Sequence, residues 1–551
     1  MQRLFGIETE YGITIDGTEE IDTVDESIEL IKNYRLDDPN FSSKLFFFDQ
    51  TFSKSLEFDQ KKIRRMNSSI KRNEEEFLDD YDFTNASATA KWDYSLEDPF
   101  KDARGFRAEE LQEHPDERKH QEEDRRRNLS FEEVKSDRVL INGARLYNDH
   151  AHPEYSTPEC NNLFELIAHD KAGERILQQC ARRRSEQLNG KTVVLYKNNT
   201  DFHGHSYGCH DNYCMSRDVP FDYIKNSIMP FFVTRQIFAG AGKVGIETEA
   251  GLYSAGFFQL SQRADFFTVE VSVDTMSNRP IVNTRDEPHA DPKKYRRLHV
   301  IVGDANMSEY ATALKIGTTA LVIDLIEKRL IPKELSLKNP VEDIKEISRD
   351  QMYQWQVKLN DGKTISAIDL QRQYLSLAQK HLSDRDYDTD WVLVEWENVL
   401  NKLEHDPASL FDRLDWAAKK WLLETFIESE KLTWDDPWLQ SIDLEYHNID
   451  TESGLYYELL RKGIMRRVIT DEQIHHAIFH PPGGTRAYFR GKSLEKFRPN
   501  VKAVQWDSIT FEMNGRQFPI SMNNLVDNDS VKKYNEFIDK SETLAEMLSK
   551  L

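Results

Sequence analysis

The chain is short of cysteine, of basic charge and of long apolar runs, and each shortage excludes something. Its four cysteines, Cys160, Cys180, Cys209 and Cys214, form no CxxC pair and no zinc-type spacing. That rules out a disulfide scaffold or a zinc finger and suits a reducing cytosol. No segment approaches the roughly 18 consecutive apolar residues of a membrane span. The N-terminus, MQRLFGIETEYG, carries carboxylates where a signal peptide would be apolar, so a cytoplasmic location is expected. Lys and Arg number 73 against 96 Asp and Glu, a net charge of -23, which argues against a general nucleic-acid binder. An acidic ligand held in a local basic cleft remains compatible with it. Also missing are a Rossmann fingerprint, a Walker motif and a Ser-His-Asp or Cys-His signature in its expected context.

What is present is a globular composition, 38% hydrophobic and 11% aromatic over 551 residues, enough for one large domain and a smaller one. Residues 5–15, FGIETEYGITI, alternate as a strand, with Phe5, Ile7, Tyr11, Ile13 and Ile15 on one face and Glu8 and Glu10 on the other. Flanking glycines leave room for a ligand near the backbone. The pair reads either as hard oxygen ligands for a divalent cation or as solvated glutamates of an edge strand. Residues 141–160, INGARLYNDHAHPEYSTPEC, put Arg145, Tyr147 and Asp149 on one strand face; Pro153 is expected to end regular pairing, with Glu154 where the chain turns away. His210 and Asn212 share a face of a third strand, and His299 opposes Leu298, Val300 and Val302 on a fourth, just after Arg296 and Arg297. Arginine there suits phosphate. Arg263 sits in the aromatic-flanked FFQLSQRADFF, open to an ion pair or a substrate contact.

From about 35 to 137 the sequence is dense in mixed charge and reads as an insertion. Within it WDYSLEDPFKDARGF, residues 92–106, reads as a lid or recognition loop, and its aromatics suit docking over another surface. Residues 307–330 read as an amphipathic helix, and helices are expected at 163–188, 365–382, 391–403 and 407–430. The Pro-Pro-Gly-Gly of HPPGGTRAYFRG is a turn, and VKAVQWDSITFEM a strand carrying Trp506. A small C-terminal domain is placed at 471–551, after a catalytic domain at 1–470.

Four strand faces supplying carboxylate, phenol and imidazole suit a divalent metal that bridges ATP phosphates. ATP would then be held by metal, arginines and the sheet surface. Periodicity does not choose between Asp149 and Glu154 for covalent chemistry.

FGIETEYGI, NGARLYNDHAHPEY, LYKNNTD, SYGCHDNY, QLSQRAD, NTRDEPHADPKKYRRLHVIVGDANMSE and TRAYFRG together resemble the Pup ligase and Pup deamidase family, a relative of glutamine synthetase, from residue 1 to about 515. The compact DHAHPEYSTPEC and the WDYSLEDPFKDARGF piece resemble the deamidase branch; the ligase branch carries a Gly-Ser-type insertion before its His-Pro-Glu. The extension at 44–89 matches neither.

The resemblance implies an α+β fold, with a large glutamine synthetase-like domain whose curved, mainly antiparallel sheet carries the site and has helices packed behind it. It implies that Asp149 is catalytic, that Glu8, Tyr147, Glu154, His210 and His299 are metal ligands, and that Arg145, Thr157, Arg297 and Trp506 contact ATP. Glu10 is added as a ligand by analogy with paired carboxylates in related sites, and Arg263 as a substrate contact. The implied cofactors are ATP and Mg2+. The implied partners are Pup, a small ubiquitin-like tag, and pupylated proteins, with a link to a bacterial proteasome. The implied activity is deamidation of the C-terminal glutamine of Pup and depupylation; the alternatives are an ATP-dependent Pup–protein ligase and a non-enzymatic Pup-binding regulator.

Overall fold

The computed structural model describes residues 3–18, 21–35, 90–111, 127–248, 253–524 and 528–551. The 44–89 extension, and most of the charged insertion with it, lies outside the described residues. Among the described residues no helix is long and apolar enough to cross a membrane.

The strand read at 5–15 is two strands in two sheets. β1 (Phe5–Glu10) and β2 (Gly12–Ile15) part at Tyr11, a buried residue whose N–H donates to the Pro153 carbonyl at 3.0 Å. β1 lies inside a six-stranded antiparallel sheet, with β4 (Arg138–Val139), β5 (Arg145–Asp149), β6 (His152–Ser156), β8 (Cys209–Ser216) and β13 (Tyr295–Val300), in the order β13-β8-β1-β6-β5-β4. β2 pairs instead with β7 (Val193–Tyr196). Pro153 does not end pairing, as the sequence suggested; it lies inside β6, opposite Asn148. It sits at the last rung toward β1, where its carbonyl accepts from Tyr11, so its missing N–H breaks no ladder beyond that end. Glu154 is therefore in mid-strand, between β1 and β5.

Among the described residues no sheet is closed or curled, which corrects the expected curved sheet. The six-stranded sheet is open, running from β13 at one edge to β4 at the other. Closure would need these edges to pair, and β4 offers only two residues. The other sheets are equally open: β9 (Lys243–Glu247) with β10 (Tyr253–Gln259), β11 (Val269–Ser272) with β12 (Pro280–Asn283), and β14 (Gln356–Lys358) with β15 (Thr364–Ser366). The α+β character and the antiparallel preference hold, with parallel pairing at β11–β12 and at one place below.

One face of the large sheet is apolar and carries Phe5, Ile7, Leu146, Tyr155, Tyr213, Leu298 and Val300, all buried. Helices Leu163–Glu186 and Glu309–Glu327 pack behind it. Gly173 lets the first come close, since a Cβ there would stand 2.3 Å from the Tyr155 ring. The second helix is not amphipathic, as read, but buried around nearly its whole circumference. Slipping β1 by one residue would turn Phe5 and Ile7 to the polar side, at about 1.5–3 kcal/mol each.

The segment VKAVQWDSITFEM is a hairpin rather than one strand: β16 (Val501–Val504) and β17 (Ser508–Met513), with Trp506 in the turn between them. With β18 (Arg516–Ser521) and β3 (Lys91–Trp92) they form a four-stranded sheet, β3 joining β16 in parallel. The loop read as a lid thus supplies an edge strand here. It continues across to residues 284–287, where Ala103 N–H donates to the Thr284 carbonyl and Asp286 N–H to the Lys101 carbonyl, each at 2.8 Å. A second apolar cluster under this sheet includes Trp92, Phe489, Val504 and Phe511, while Ile474, Ala477 and Ile478 pack into the main core.

Helix Arg486–Phe497 is fastened to the segment that follows β6 by Glu159, which accepts from Arg486 Nε at 2.6 Å and from Arg490. Burial opposes the charge on Glu159, but Arg490 and Arg486 outweigh it and bring the carboxyl down to about 2. A carboxyl lowered in the folded state contributes stability that is present above its ordinary pKa and lost as pH falls toward the lowered one. A Glu159→Gln chain, which leaves two buried guanidiniums short of charge, is expected to lose about 3–5 kcal/mol at pH 7. Scanning calorimetry should show the gap from the parent narrowing as pH drops below about 4.

Candidate active site

The polar face of the six-stranded sheet forms the floor of a cleft of about 840 Å³. Register builds it: Glu8 lies opposite His210 on one side and Ser156 on the other, Glu10 opposite Glu154, Tyr147 opposite Glu154, and His299 opposite Asn212. Strand parity then points Glu8, Glu10, Arg145, Tyr147, Asp149, Glu154, His210, Arg297 and His299 to one side. All of these line the cleft, together with Arg263 and Trp506. Thr157 stands apart, in an adjoining pocket of about 100 Å³ that it borders with Glu8, Arg297 and Trp506.

Two groups of donor atoms stand on this floor. In the first, His210 Nδ1 and His299 Nε2 lie 3.5 and 3.6 Å from Glu8 Oε2 and 3.3 Å from each other. A divalent cation with bonds of about 2.1 Å spaces its ligands about 3.0–3.5 Å apart, so these three atoms fit one. Burial, then the nearby Arg297, pushes His299 down to about 3, leaving a neutral imidazole with a lone pair to offer. Burial opposes charge on Glu8, yet His210, His299 and Arg297 hold its carboxyl well below the usual range. In the second group, ligand atoms of Glu10, Asp149 and Glu154 all lie within 4.8 Å of one another. Burial and the like charges of Asp149, Glu8 and Glu10 push Glu154 well above the usual carboxylate range. Such crowding calls for a cation. Glu154 accepts from Tyr147 Oη at 2.5 Å and Ser156 Oγ at 3.2 Å, and Glu10 from the Gly208 N–H at 2.9 Å.

Asp149 is the last residue of β5, and the turn to β6 is His150 and Ala151, both left-handed at φ 44° and 74°. Type I′ two-residue hairpins need positive φ at both turn positions, usually from Asn and Gly. Burial works against the Asp149 charge, but Lys135, His150 and Arg145 together hold the carboxyl well below its ordinary value. The Lys135 ammonium pairs directly with it.

Arg145, expected to contact ATP, is held by several protein groups at the cleft wall. Its guanidinium is stacked between the rings of Trp92 and Tyr147, at 4.1 and 3.8 Å, and donates to Asp137 Oδ1 at 2.8 Å and Tyr94 Oη at 2.7 Å. It ties the 92–106 loop to the floor. Trp506 meets Trp92 edge-on at 5.2 Å. Arg297 faces Glu8 at 3.6 Å and donates to Asn212 Oδ1 at 3.0 Å and the Glu287 carbonyl at 2.9 Å. Arg263 is buried, donating to Ser206 Oγ at 3.2 Å and the Ile301 carbonyl at 2.6 Å rather than to a carboxylate. Burial lowers its pKa, opposed by the carboxylates of Glu10 and Asp304.

Sequence reading missed several contributors. Lys135 lies in the charged stretch with no local signal. Gly208 was unremarkable, yet a Cβ there would stand 2.4 Å from His210 Nε2 and 3.0 Å from Glu10 Oε1. Gly12, read as leaving room for a ligand, instead makes room for the Tyr207 hydroxyl, 2.8 Å from where its Cβ would be.

The family model described as Pup-ligase protein matches residues 3–510. The depupylase of Acidothermus cellulolyticus is 48% identical over 78% of this chain and 84% of its own. The Pup deamidase/depupylase of Mycolicibacterium smegmatis is 45% identical over 77% of this chain and 83% of its own. Among solved structures, a complex of the prokaryotic ubiquitin-like protein Pup with its ligase superposes with a TM-score of 0.71 at 28% identity, covering 99% of this chain and 93% of that one. A Pup ligase in complex with ADP gives 0.66 at 34% identity, covering 79% of this chain and 97% of that one.

A Gly208→Ala chain, which must displace His210 and Glu10, is expected to bind a divalent cation about 10–100-fold more weakly than the parent. Calorimetric titration with Mn2+ would check it.

Proposed function

Because the chain belongs to the Pup-ligase protein family, we propose that it is a Pup-modifying enzyme that binds a nucleotide, and that it hydrolyses amide bonds at the C-terminus of Pup. The substrates are then Pup ending in glutamine, which is deamidated to glutamate, and the isopeptide bond joining Pup to a target lysine. The observation that carries this is Asp149 at the strand end, beside Glu10 and Glu154 and on the same floor as the Glu8, His210 and His299 group. The 48% and 45% identities to a depupylase and a Pup deamidase/depupylase support hydrolysis in particular.

Glu8, His210 and His299 would hold a divalent cation, with Glu10 and Glu154 beside Tyr147 as a second set of donors. The chemistry of the first set fits: a carboxylate oxygen and two imidazole nitrogens, His299 Nε2 and His210 Nδ1, facing one another at 3.3–3.6 Å. Arg145, Thr157, Arg297 and Trp506 would contact the nucleotide, and Arg145 also packs on the Tyr147 ring. When bound, Mg2+ would supply the positive charge that offsets the ATP phosphates and the carboxylates of this floor.

In the hydrolytic reaction an Asp149 oxygen bonds to the carbonyl carbon, and the C=O π pair moves onto the oxygen. Return of that pair expels the nitrogen with the C–N pair. The nitrogen takes a proton from water, and the hydroxide left behind adds to the acyl carbon. The anhydride splits into the Asp149 carboxylate and a carboxylic acid, whose proton passes to the released amine. Asp149 as general base for water is the variant of this reading. Arg263, which lines the cleft, would take the terminal carboxylate of Pup.

A second reading is ATP-dependent ligation of Pup to lysine. It is supported by the ligase description of the family model and by two superposed structures that are ligases, one with ADP. Mass spectrometry separates the two. With Mg2+ and ATP, hydrolysis raises the mass of Pup ending in glutamine by about one dalton, and Asp149→Asn slows this by about 10³-fold or more. Conjugates formed from Pup ending in glutamate, with the glutamine form untouched, would establish ligation instead.

A further inference from the structure

The Lys135 ammonium is ion-paired with Asp149 Oδ1 in the wall of the cleft, with only 17% and 21% of the two side chains exposed. The lysine is held there from several directions. It ends the short helix Phe131–Lys135, which opens with a capping box between Ser130 and Glu133 and stops at Ser136 in the left-handed region. Asn148, next to Asp149 in β5, donates from Nδ2 to the Val134 carbonyl at 3.1 Å. The ammonium lies 5.6 Å from the centre of the Tyr147 ring and 5.9 Å from that of Phe131.

A solvent-exposed ion pair contributes about 0–1 kcal/mol, little return for fixing a side chain as flexible as lysine. This pair is neither exposed nor placed at random. Asp149 shares its corner with Glu10 and Glu154, so three carboxylates stand within ligand distance of one another. The lysine puts a full positive charge on the outer side of that corner.

Resting on the reading of Asp149 as the reacting carboxylate, we infer that Lys135 is a further catalytic residue. It is the fixed charge that balances Asp149 in the resting cleft and then stabilises the oxyanion on the substrate carbonyl. In a productive complex the carbonyl carbon stands about 3–3.5 Å from the attacking oxygen. When the Asp149 oxygen bonds to that carbon, the negative charge leaves the carboxylate and appears on the carbonyl oxygen a few bonds away. An ammonium already touching the first position is within reach of the second, and it needs no rearrangement at the moment of reaction. Its own charge does not change through the step. The C=O pair returns, the C–N pair leaves with the amine, and the amine takes its proton from water as described above.

Lys135→Met keeps the apolar stem and removes the charge; Lys135→Arg keeps a charge. Loss of one such donor costs about 10²–10³ in kcat. The expected result with Pup ending in glutamine is a fall of that size in kcat for Lys135→Met, with KM moving by less than about threefold. Lys135→Arg should recover at least about tenfold of the loss, with thermal unfolding and Mn2+ titration showing that both variants remain folded and still bind the cation. Parental or higher turnover by Lys135→Met overturns the inference. So does a loss confined to KM, or one that arginine does not restore. A parent enzyme that makes no glutamate from glutamine would bring down the hydrolytic reading itself, whatever the variants do.

Discussion

The register of β1 between β6 and β8 is the constraint from which the cleft follows. It sets Glu8 against His210 and Glu10 against Glu154, so that the donor atoms of three strands meet without help from any loop. That register is enforced from behind. Phe5 and Ile7 are pinned under the helices, and a shift of one residue would bury two glutamates and bare two large apolar side chains. The apolar face thus does for the chemistry what a scaffold must: it makes the wrong alignment cost more than the electrostatic crowding of the right one. Crowding is then relieved locally by Arg297 beside Glu8 and by Lys135 beside Asp149.

A second dependence runs through Arg145. Its guanidinium is sandwiched by Trp92 and Tyr147 and bonded to Asp137 and Tyr94, joining the floor of the cleft to the loop above it. That loop supplies the edge strand of the C-terminal sheet at one end and bonds to residues 284–287 at the other. Trp506, in the hairpin turn of that sheet, meets Trp92 at the same point. Distant residues are brought into one wall by rings gathered on Arg145, with Trp506 joining through Trp92 and resting on Arg490.

Much of the floor was legible because strand parity is a short-range property. FGIETE, RLYND and the strand around His299 declare their polar faces by alternation alone, and register needed only to bring those faces side by side. What alternation does not reveal is where a strand stops being part of a sheet. Nothing local to Tyr11 says that β1 and β2 belong to different sheets, because the cause is a partner bond to Pro153 across the fold. Pro153 was misjudged for the same reason: its tolerance depends on which neighbour has already departed. Lys135 and the Arg145 stack were hidden because their meaning is a contact with a distant segment. Helix Glu309–Glu327 misled because a helix buried on every side has no polar face to display. The openness of the sheet, against the curved one implied by resemblance, is likewise a property of its edges, and two-residue β4 carries no sequence signature.

The His150-Ala151 turn has a consequence for how the chain can vary in length. Asp149 pairs directly with His152, so the connection is already as short as an antiparallel hairpin allows, and both of its residues occupy backbone conformations that L side chains adopt reluctantly. Added residues have somewhere to go, since a longer loop can bulge into the cleft and leave the rungs below it intact. A deletion has nowhere to go except into the pairing, and the first rung to open would be the one that holds Asp149. Variation at this corner is therefore one-directional: the hairpin tolerates growth and forbids contraction, and growth also relaxes its two strained residues.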